Sequence, residues 1–542
     1  MIMNRWILVA ILLLAAFFRL YRSSTVPPTP SLDEVSIGYN AYSILQTGKD
    51  EYDTPFPLLL RAYDDWRPAL YVYLVIPFIK FIGLSALAVR LPSVILSILT
   101  VFITYFLVKE LLKKSKFTIQ YSLFTCLLLA LSPWHIYVSR LGHEVNVGLF
   151  ANVAGAYFFL VAIERKTIRS LIMSTVFFVL ALYSYQSQKI IVPVVILGLG
   201  ILYSRQLWEM KKGVAVAAII FTVFLTPLVQ QSLTQGALVR FQATSAFTLD
   251  NPEMQKSQGD FIRAKISNDI VGQIISHRWV TGTKIFWANY ISHFDPRWLF
   301  FGSERENHKV PRIGLLYWWE LPLVILGLIK LLSRQGSYAK SFIILWLLIS
   351  PLPAAITTQA PHAMRDISVL PYWQIIGAIG AMSLWTIMKQ YRVFVSIGAV
   401  IIFAVSVWYF TRQYYDVFPQ TQSDSFQHAL TQAVLYAGRE KHIYGKIIFS
   451  NQNNLYQSYM FYLFHSGYDP RRYLANGGTK SGGFAEPHAF DTFEFRPIDW
   501  SKDSKLTNTL IIGNVNDFPA GAPILKQFAY LDNTVGIVAI KL

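Results

Sequence analysis

The chain has 542 residues, 54% of them hydrophobic and only 15% charged, with mean hydropathy +0.39; soluble domains carry about 25% charged residues, so an ordinary soluble protein is excluded. A single cysteine, Cys126, excludes an intrachain disulfide and a thiolate metal cluster, which leaves carboxylates or histidines as ligands for any metal. The net charge of +17 does not argue for nucleic acid, because the basic residues gather in short loops between apolar runs.

A membrane span needs about 20 predominantly apolar residues. About eleven such spans are predicted, near 5–22, 86–108, 117–138, 145–163, 170–186, 189–204, 213–232, 313–332, 341–356, 367–388 and 393–411. No small-x-small cleavage pattern follows the first, so it reads as a retained anchor. Arg5 and the basic loops 109–116, 164–169, 204–212, 330–340 and 389–392 belong on the cytoplasmic side. An odd number of spans then places the C-terminus outside. The outer side receives a first loop of about 23–85, a later loop of about 233–312 and the tail 412–542.

In the first loop, "SLDEVSIGYN" places Asp33 and Glu34 just after the first span. Ser31-x-x-Glu34 is a capping-box pattern, and carboxylates in a first helical turn suit the helix dipole. Asp33 lies about 100° further round and is not needed for the cap. It could accept a proton from an attacking hydroxyl or hold a divalent cation. Ile37, Ala41, Ile44 and Leu45 then share one face, and Gly48 supplies a stop. That pattern predicts an amphipathic helix lying in the membrane interface. "DDWRP" (64–68) is either a turn before a helix or the carrier of a functional Arg67. The stretch 67–83, broken by Pro77 and Lys80, reads as amphipathic or re-entrant.

Further on, "SRLGHEVN" offers Arg140, His143 and Glu144 at i, i+3 and i+4. They form either a charged helix end or a second acid with a cation beside it. Lys189, in the outer turn "YSYQSQK", either snorkels to the interface or meets a phosphate. "APHAMRD" places His362 and Arg365 before a span whose first N–H groups are free, an anion site by charge and by backbone. In the tail, "KIIFS" and "TLIIGNV" read as buried strands. "LYQSYMFYLFHSG" reads as a helix closed by Gly467, and "FDTFEFRPIDW" as an exposed strand. The tail is therefore expected to be a small extracytoplasmic α/β domain. Acids, histidines and cations thus collect on the outer side, away from cytoplasmic nucleotide-sugar pools. A lipid-linked phosphate donor would suit them.

The pieces in order resemble the GT-C membrane glycosyltransferases, within them the protein O-mannosyltransferase-like and aminoarabinose-transferase-like family. They are "LDE", "RPALYVYL", "GLSALAVRLPSVILSILTVFITYFLVKELL", "SPWHIYVSRLGHEVN", "YSYQSQKIIVP", "NYISHFDPRWLFFG", "GLLYWWELPLVILGL" and "PHAMRDISVLP". The resemblance covers about 1–411, which makes that stretch the GT-C domain and 412–542 a separate domain. It implies a multi-pass enzyme of the plasma membrane that uses a polyprenyl-phosphate-sugar donor. The acceptor would be a hydroxyl of protein, lipid or polysaccharide. Asp33 inherits the base role, with Glu34 beside it and Glu144 as the second acidic position. His362 and Arg365 inherit donor-phosphate contacts, which Lys189, Arg140 and Arg67 would extend. The family's usual Lys-Pro-Pro is here Arg67-Pro68-Ala69. Members differ in needing a divalent cation (Mg, Mn or Zn); the ligands expected here are Asp33, Glu144 and His143. The expected reaction is direct displacement with inversion. A transporter or flippase of a lipid-linked sugar is the reading from another class. It usually brings inverted repeats and midplane charges, and the chain has no evident repeat.

Overall fold

The computed structural model describes residues 2–63, 65–234, 245–333, 337–480, 483 and 485–542. Asp64 of the expected turn, 235–244 of the later loop and 334–336 of one basic loop lie outside the described residues. The chain divides into two compact units. One holds Met1–Phe18, Leu96–Val138 and Val145–Phe410; the other holds Arg19–Ile95, Ser139–Glu144 and Thr411–Leu542. The second unit thus groups the tail with the first outer loop.

Among the described residues, seven helices are long and apolar enough to cross a membrane: Met3–Leu20, Ala86–Leu111, Val145–Arg165, Lys211–Gln231, Tyr338–Ala355, Ile367–Ile387 and Lys389–Thr421. The pair Thr118–Leu131 and Pro133–Ser139, bent by 56°, makes an eighth if it crosses as one. Proline at the break removes a helical hydrogen bond and forces the bend. The other three expected spans form the helices Ile168–Leu182, Gln188–Leu202 and Glu320–Leu332, of 15, 15 and 13 residues. At 1.5 Å per residue they reach roughly 20–23 Å, short of the ~30 Å hydrocarbon core. Each of the eleven runs contains a helix, and seven or eight of these helices are long enough by themselves to cross.

Within the first unit, small residues set the closest helix crossing. A Cβ on Gly380 would lie 1.8 Å from the Leu323 carbonyl oxygen, and one on Gly327 2.0 Å from that of Ile376. Only glycine lets these two helices approach so closely. A buried polar node ties other elements together. Asn152 Nδ2 donates to Gln188 Oε1 (2.7 Å), and Gln188 Nε2 donates to Ser368 Oγ (3.0 Å).

In the second unit, a helix runs from Leu32 to Thr47 and ends at Gly48, whose φ of +75° closes it. β1 (Leu59–Ala62) and β2 (Asp65–Pro68) make a hairpin, followed by the helix Leu70–Ile82. The tail builds a six-stranded mixed sheet in the order β4-β5-β3-β6-β8-β7. These are β3 (Lys446–Phe449), β4 (His488–Phe490), β5 (Phe493–Phe495), β6 (Thr509–Asn514), β7 (Ile524–Ala529) and β8 (Val535–Lys541). β3 lies between β5 and β6, parallel to both. "FDTFEFRPIDW" is no exposed strand. It turns at Asp491 and buries Phe493 and Phe495 in the sheet.

The Leu32–Thr47 helix also departs from expectation. It does not lie in the interface with one apolar face; Glu34 to Ala41 are buried all round. The tail covers the face that the sequence marks as polar. Asn40 Nδ2 donates to Glu51 Oε1 (2.9 Å), while Tyr459 Oη and Thr479 Oγ1 donate to Glu51 Oε2 (2.9 and 2.8 Å). Burial raises the Glu51 carboxyl from 4.5 to about 7, against the lowering effect of these three donors. A folded-state value above the unfolded one means that the folded protein holds a proton the unfolded chain has lost. Glu51 therefore contributes most below pH 4.5, and the contribution fades as pH rises through about 7. The unfolding midpoint of Glu51→Gln in detergent, read against wild type from pH 4.5 to 8, isolates this carboxyl from other titrating groups. The wild-type protein is expected to lose stability relative to the variant across that range; parallel curves would sink the assignment.

Candidate functional site

The candidate residues fall into one group in each unit. In the second unit, Ser31 caps the Leu32–Thr47 helix with both bonds of the capping box. Glu34 N–H donates to Ser31 Oγ (3.3 Å), and Ser31 N–H donates to Glu34 Oε2 (2.8 Å). Glu34 does more than cap. Arg90 Nε and Nη2 donate to its two oxygens (2.7 and 3.2 Å), and Gly142 N–H donates to Oε1 (2.9 Å). Arg90 spends its remaining donors on the carbonyls of Ser23, Pro27 and Thr29. Both side chains are sealed from solvent. Glycine is required at 142 because a Cβ there would meet Val89 at 2.6 Å.

Asp33 points elsewhere. Its side chain is 45% exposed, against 1% for Glu34. Oδ1 accepts from Nη2 of the nearly buried Arg67 at 2.7 Å, and Oδ2 lies 4.0 Å from His143 Nε2. His143 Nδ1 is in turn 3.3 Å from Glu144 Oε2. The structure thus brings Arg67, Asp33, His143 and Glu144 together, with Asp33 the open carboxylate. Arg140 is not among them. The segment 140–144 is not helical, so the expected shared face does not form. Arg140 is fully buried, donates to the carbonyls of Arg19 and Val26 (2.9 and 2.7 Å), and lies over Tyr414 and Tyr415. Those surroundings are a structural anchor's, not a donor-phosphate contact's.

In the first unit, Arg365 Nη1 donates to Thr357 Oγ1 (2.6 Å) and the Thr358 carbonyl (2.9 Å) and stays partly exposed. His362 N–H donates to His293 Nε2 (3.1 Å), and His362 Nδ1 accepts from Arg365 N–H (3.4 Å). The His362 ring lies against that of His308, centroids 4.8 Å apart. Burial lowers His362 to about 2, helped by His308, Arg365 and His293. The imidazole is therefore neutral at physiological pH. Arg365 supplies the charge here, and His362 can offer only a neutral N–H. Burial likewise lowers His293 to about 4, and its Nδ1 pairs with the Asn289 carbonyl (2.8 Å). Lys189, partly exposed, sits in the first turn of its helix next to Gln188. Gln188 reaches Ser368, three residues past Arg365, so the polar node ties the two segments.

Among the described residues no group of three or more His, Cys, Asp or Glu is gathered to hold a metal. The expected set of Asp33, Glu144 and His143 does not converge on one point: His143 turns Nε2 toward Asp33 and Nδ1 toward Glu144, and Arg67 donates to Asp33 Oδ1. No step is therefore routed through a metal. Sequence reading missed Arg90 and His293. A lone arginine inside an apolar run was the available signal for the first, since such charges are retained only with partners.

The sequence model of the dolichyl-phosphate-mannose-protein mannosyltransferase family matches residues 67–229. A search of curated proteins finds no match. Among solved structures, the fold is similar to ArnT from Cupriavidus metallidurans bound to undecaprenyl phosphate. That match has 11% identity and TM-score 0.52, covering 98% of this chain and 97% of that one. It is also similar to the Archaeoglobus fulgidus oligosaccharyltransferase solved with Zn and sulfate, at 14% identity and TM-score 0.51. There 85% of this chain matches only 61% of the archaeal one. The chain has the fold of the GT-C membrane glycosyltransferases and matches the mannosyltransferase family's model over residues 67–229, under a third of its length.

Proposed function

We propose that this protein transfers a sugar from a polyprenyl-phosphate donor to an acceptor hydroxyl at the outer face of the membrane, with Asp33 as general base. The observation that carries the reading is the contrast between two adjacent carboxylates. Glu34 is buried and fully paired, while Asp33 is 45% exposed and held by one guanidinium. An open carboxylate with a fixed backbone can take a proton from an incoming hydroxyl. The hydroxyl oxygen then forms its bond to the anomeric carbon. The bond from that carbon to the phosphate oxygen breaks, and its electron pair leaves on the lipid phosphate. Displacement in one step inverts the configuration. Arg365 is the cation assigned to the phosphate, and neutral His362 adds a hydrogen bond; fixed donors facing developing charge are commonly a large catalytic term. The ArnT match was solved with undecaprenyl phosphate, which fits a donor of this class.

The test uses purified full-length protein, undecaprenyl phosphates carrying radiolabelled mannose, glucose or aminoarabinose, and envelope membranes lacking the protein as acceptor. Label transfer with release of undecaprenyl phosphate is expected for one of them. Movement of intact donor across a vesicle without release would favour a flippase instead. Within the same assay, Arg365→Ala removes a charge-assisted contact worth about 1.5–3 kcal/mol. It should lower kcat/KM for donor by roughly 10- to 150-fold. The loop bonds to Thr357 and Thr358 go with it, so the folded fraction is measured alongside. Unchanged donor kinetics in folded protein would remove Arg365 from the site.

The basic loops support an orientation with the N-terminus cytoplasmic and the tail extracytoplasmic, and the plasma membrane is the location this reading takes. A reporter active only in the cytoplasm, fused after Leu542, should stay silent; strong signal would reverse the placement.

A further inference from the structure

We propose that the C-terminal domain positions the base: it sets the Leu32–Thr47 helix, and through it Asp33, with Glu51 as the buried joint. This rests on the reading of Asp33 as base and assigns the tail a part in the reaction.

The helix that carries Asp33 is held at two places. At its start, Ser31, Arg90 and Gly142 hold Glu34. Along the rest of its length the Leu70–Ile82 helix packs on one side, and the tail packs on another through the helices Ser458–Ser466 and Pro470–Ala475. Gly38 is so close to the Ser458–Ser466 helix that a Cβ would lie 2.4 Å from the Phe464 ring. Tyr39 Oη donates to the Tyr468 carbonyl (3.3 Å), and Arg471 Nη2 donates to the Gln46 carbonyl (3.2 Å). Between them stands Glu51. Asn40 meets it twice, by Nδ2 to Oε1 and by Oδ1 to the Glu51 N–H (2.9 and 3.0 Å). Tyr459 and Thr479 take the other oxygen, and Thr479 N–H donates to the Glu51 carbonyl (2.9 Å). Tyr473 Oη backs Thr479 Oγ1 at 2.8 Å.

A joint of this kind controls rotation about the helix axis. Glu34 pins the first turn, and Glu51 with the tail contacts holds the turns beyond it. A rotation of about 20° swings a side-chain end at a radius of roughly 5–6 Å by about 2 Å. A misplacement of about 1 Å can cost on the order of 10²-fold in rate. Three donors converging on one buried carboxylate are directional in a way that apolar packing is not.

The experiment uses full-length protein in detergent, with Glu51→Leu, Glu51→Gln, Thr479→Val and the exposed control Lys505→Ala. Unfolding midpoint, kcat and KM for whichever labelled undecaprenyl phosphate sugar the wild type turns over, and amide exchange across 32–40 are measured for each. Thr479→Val and Glu51→Leu are expected to lower kcat per folded molecule by roughly 10- to 100-fold. Donor KM should stay within about twofold, and exchange across 32–40 should rise. Glu51→Gln, which can still accept from Asn40, should recover most of kcat, and Lys505→Ala should match wild type. Loss only in proportion to unfolded protein, or wild-type kcat in folded Thr479→Val, would overturn the proposal, as would lost kcat with unchanged exchange. If Glu51→Leu does not fold, Thr479→Val decides. Full activity in Asp33→Asn would instead refute the base assignment, and the exchange data would still report whether the joint holds the helix.

Discussion

Asp33→Asn is expected to abolish sugar transfer while the protein still folds and binds its lipid-phosphate donor. Asparagine has the same size, and its amide oxygen can still accept from Arg67 Nη2, now 2.7 Å away. The Asp33 side chain is half-exposed, but the nearly buried Arg67 loses its charged partner and keeps only the hydrogen bond, so a modest fall in the unfolding midpoint is expected beside the loss of chemistry. What disappears is the ability to take a proton, and loss of a general base typically costs 10²–10⁴-fold. The measurement is kcat with labelled donor, beside donor binding and the unfolding midpoint. Near-full activity in Asp33→Asn would end the catalytic reading of "SLDEVSIGYN" and leave Asp33 as a partner for Arg67.

Glu34→Gln is expected to do the reverse: damage folding and leave the chemistry of the folded fraction nearly intact. From the capping box alone the change looks mild, because glutamine also completes a box. The buried contacts reverse that expectation. Arg90 has no exposed surface, and Glu34 is its carboxylate. Removing one partner of a buried ion pair costs about 3–5 kcal/mol, more than the ~1 kcal/mol typical of a lost cap. A large drop in folded yield and unfolding midpoint should follow, with kcat per folded molecule within a few-fold of wild type. Adding Arg90→Gln should recover part of the loss, and a double-mutant cycle measures the coupling. A stable Glu34→Gln protein with no activity would move the base from Asp33 to Glu34.

Set side by side, the two variants separate carboxylates one residue apart. Local sequence distinguishes them only by the cap. The capping box was legible, because Ser31 and Glu34 are three residues apart and one helical turn joins them. That Asp33 would be open and Glu34 sealed was not. The difference comes from Arg90, 56 residues from Glu34, and Arg67, 34 residues from Asp33. The histidine loop divides the same way. "PHAMRD" marks His362 and Arg365 as polar residues before a span. Only the tertiary structure, by burying His362 and setting His308, Arg365 and His293 around it, lowers that ring so far below the ordinary histidine value.

What the sequence by itself determined are the features set by short-range chemistry. Apolar runs become helices because hydrocarbon leaves the backbone no other partner. Ser31 and Gly48 bound one helix, Gly467 closes another, and "KIIFS" and "TLIIGNV" form strands inside the tail's sheet. The tertiary structure alone decided how long each run stays a helix, which polar residues are buried, and what they meet. The Leu32–Thr47 helix shows the reason. Its sequence marks a polar face for water, yet Asn40 on that helix ends up joined to Glu51, which the tail meets 408 and 428 residues further on through Tyr459 and Thr479. Periodicity reports whether a residue can be buried. Only the partners supplied by distant chain determine whether a polar one can stay there.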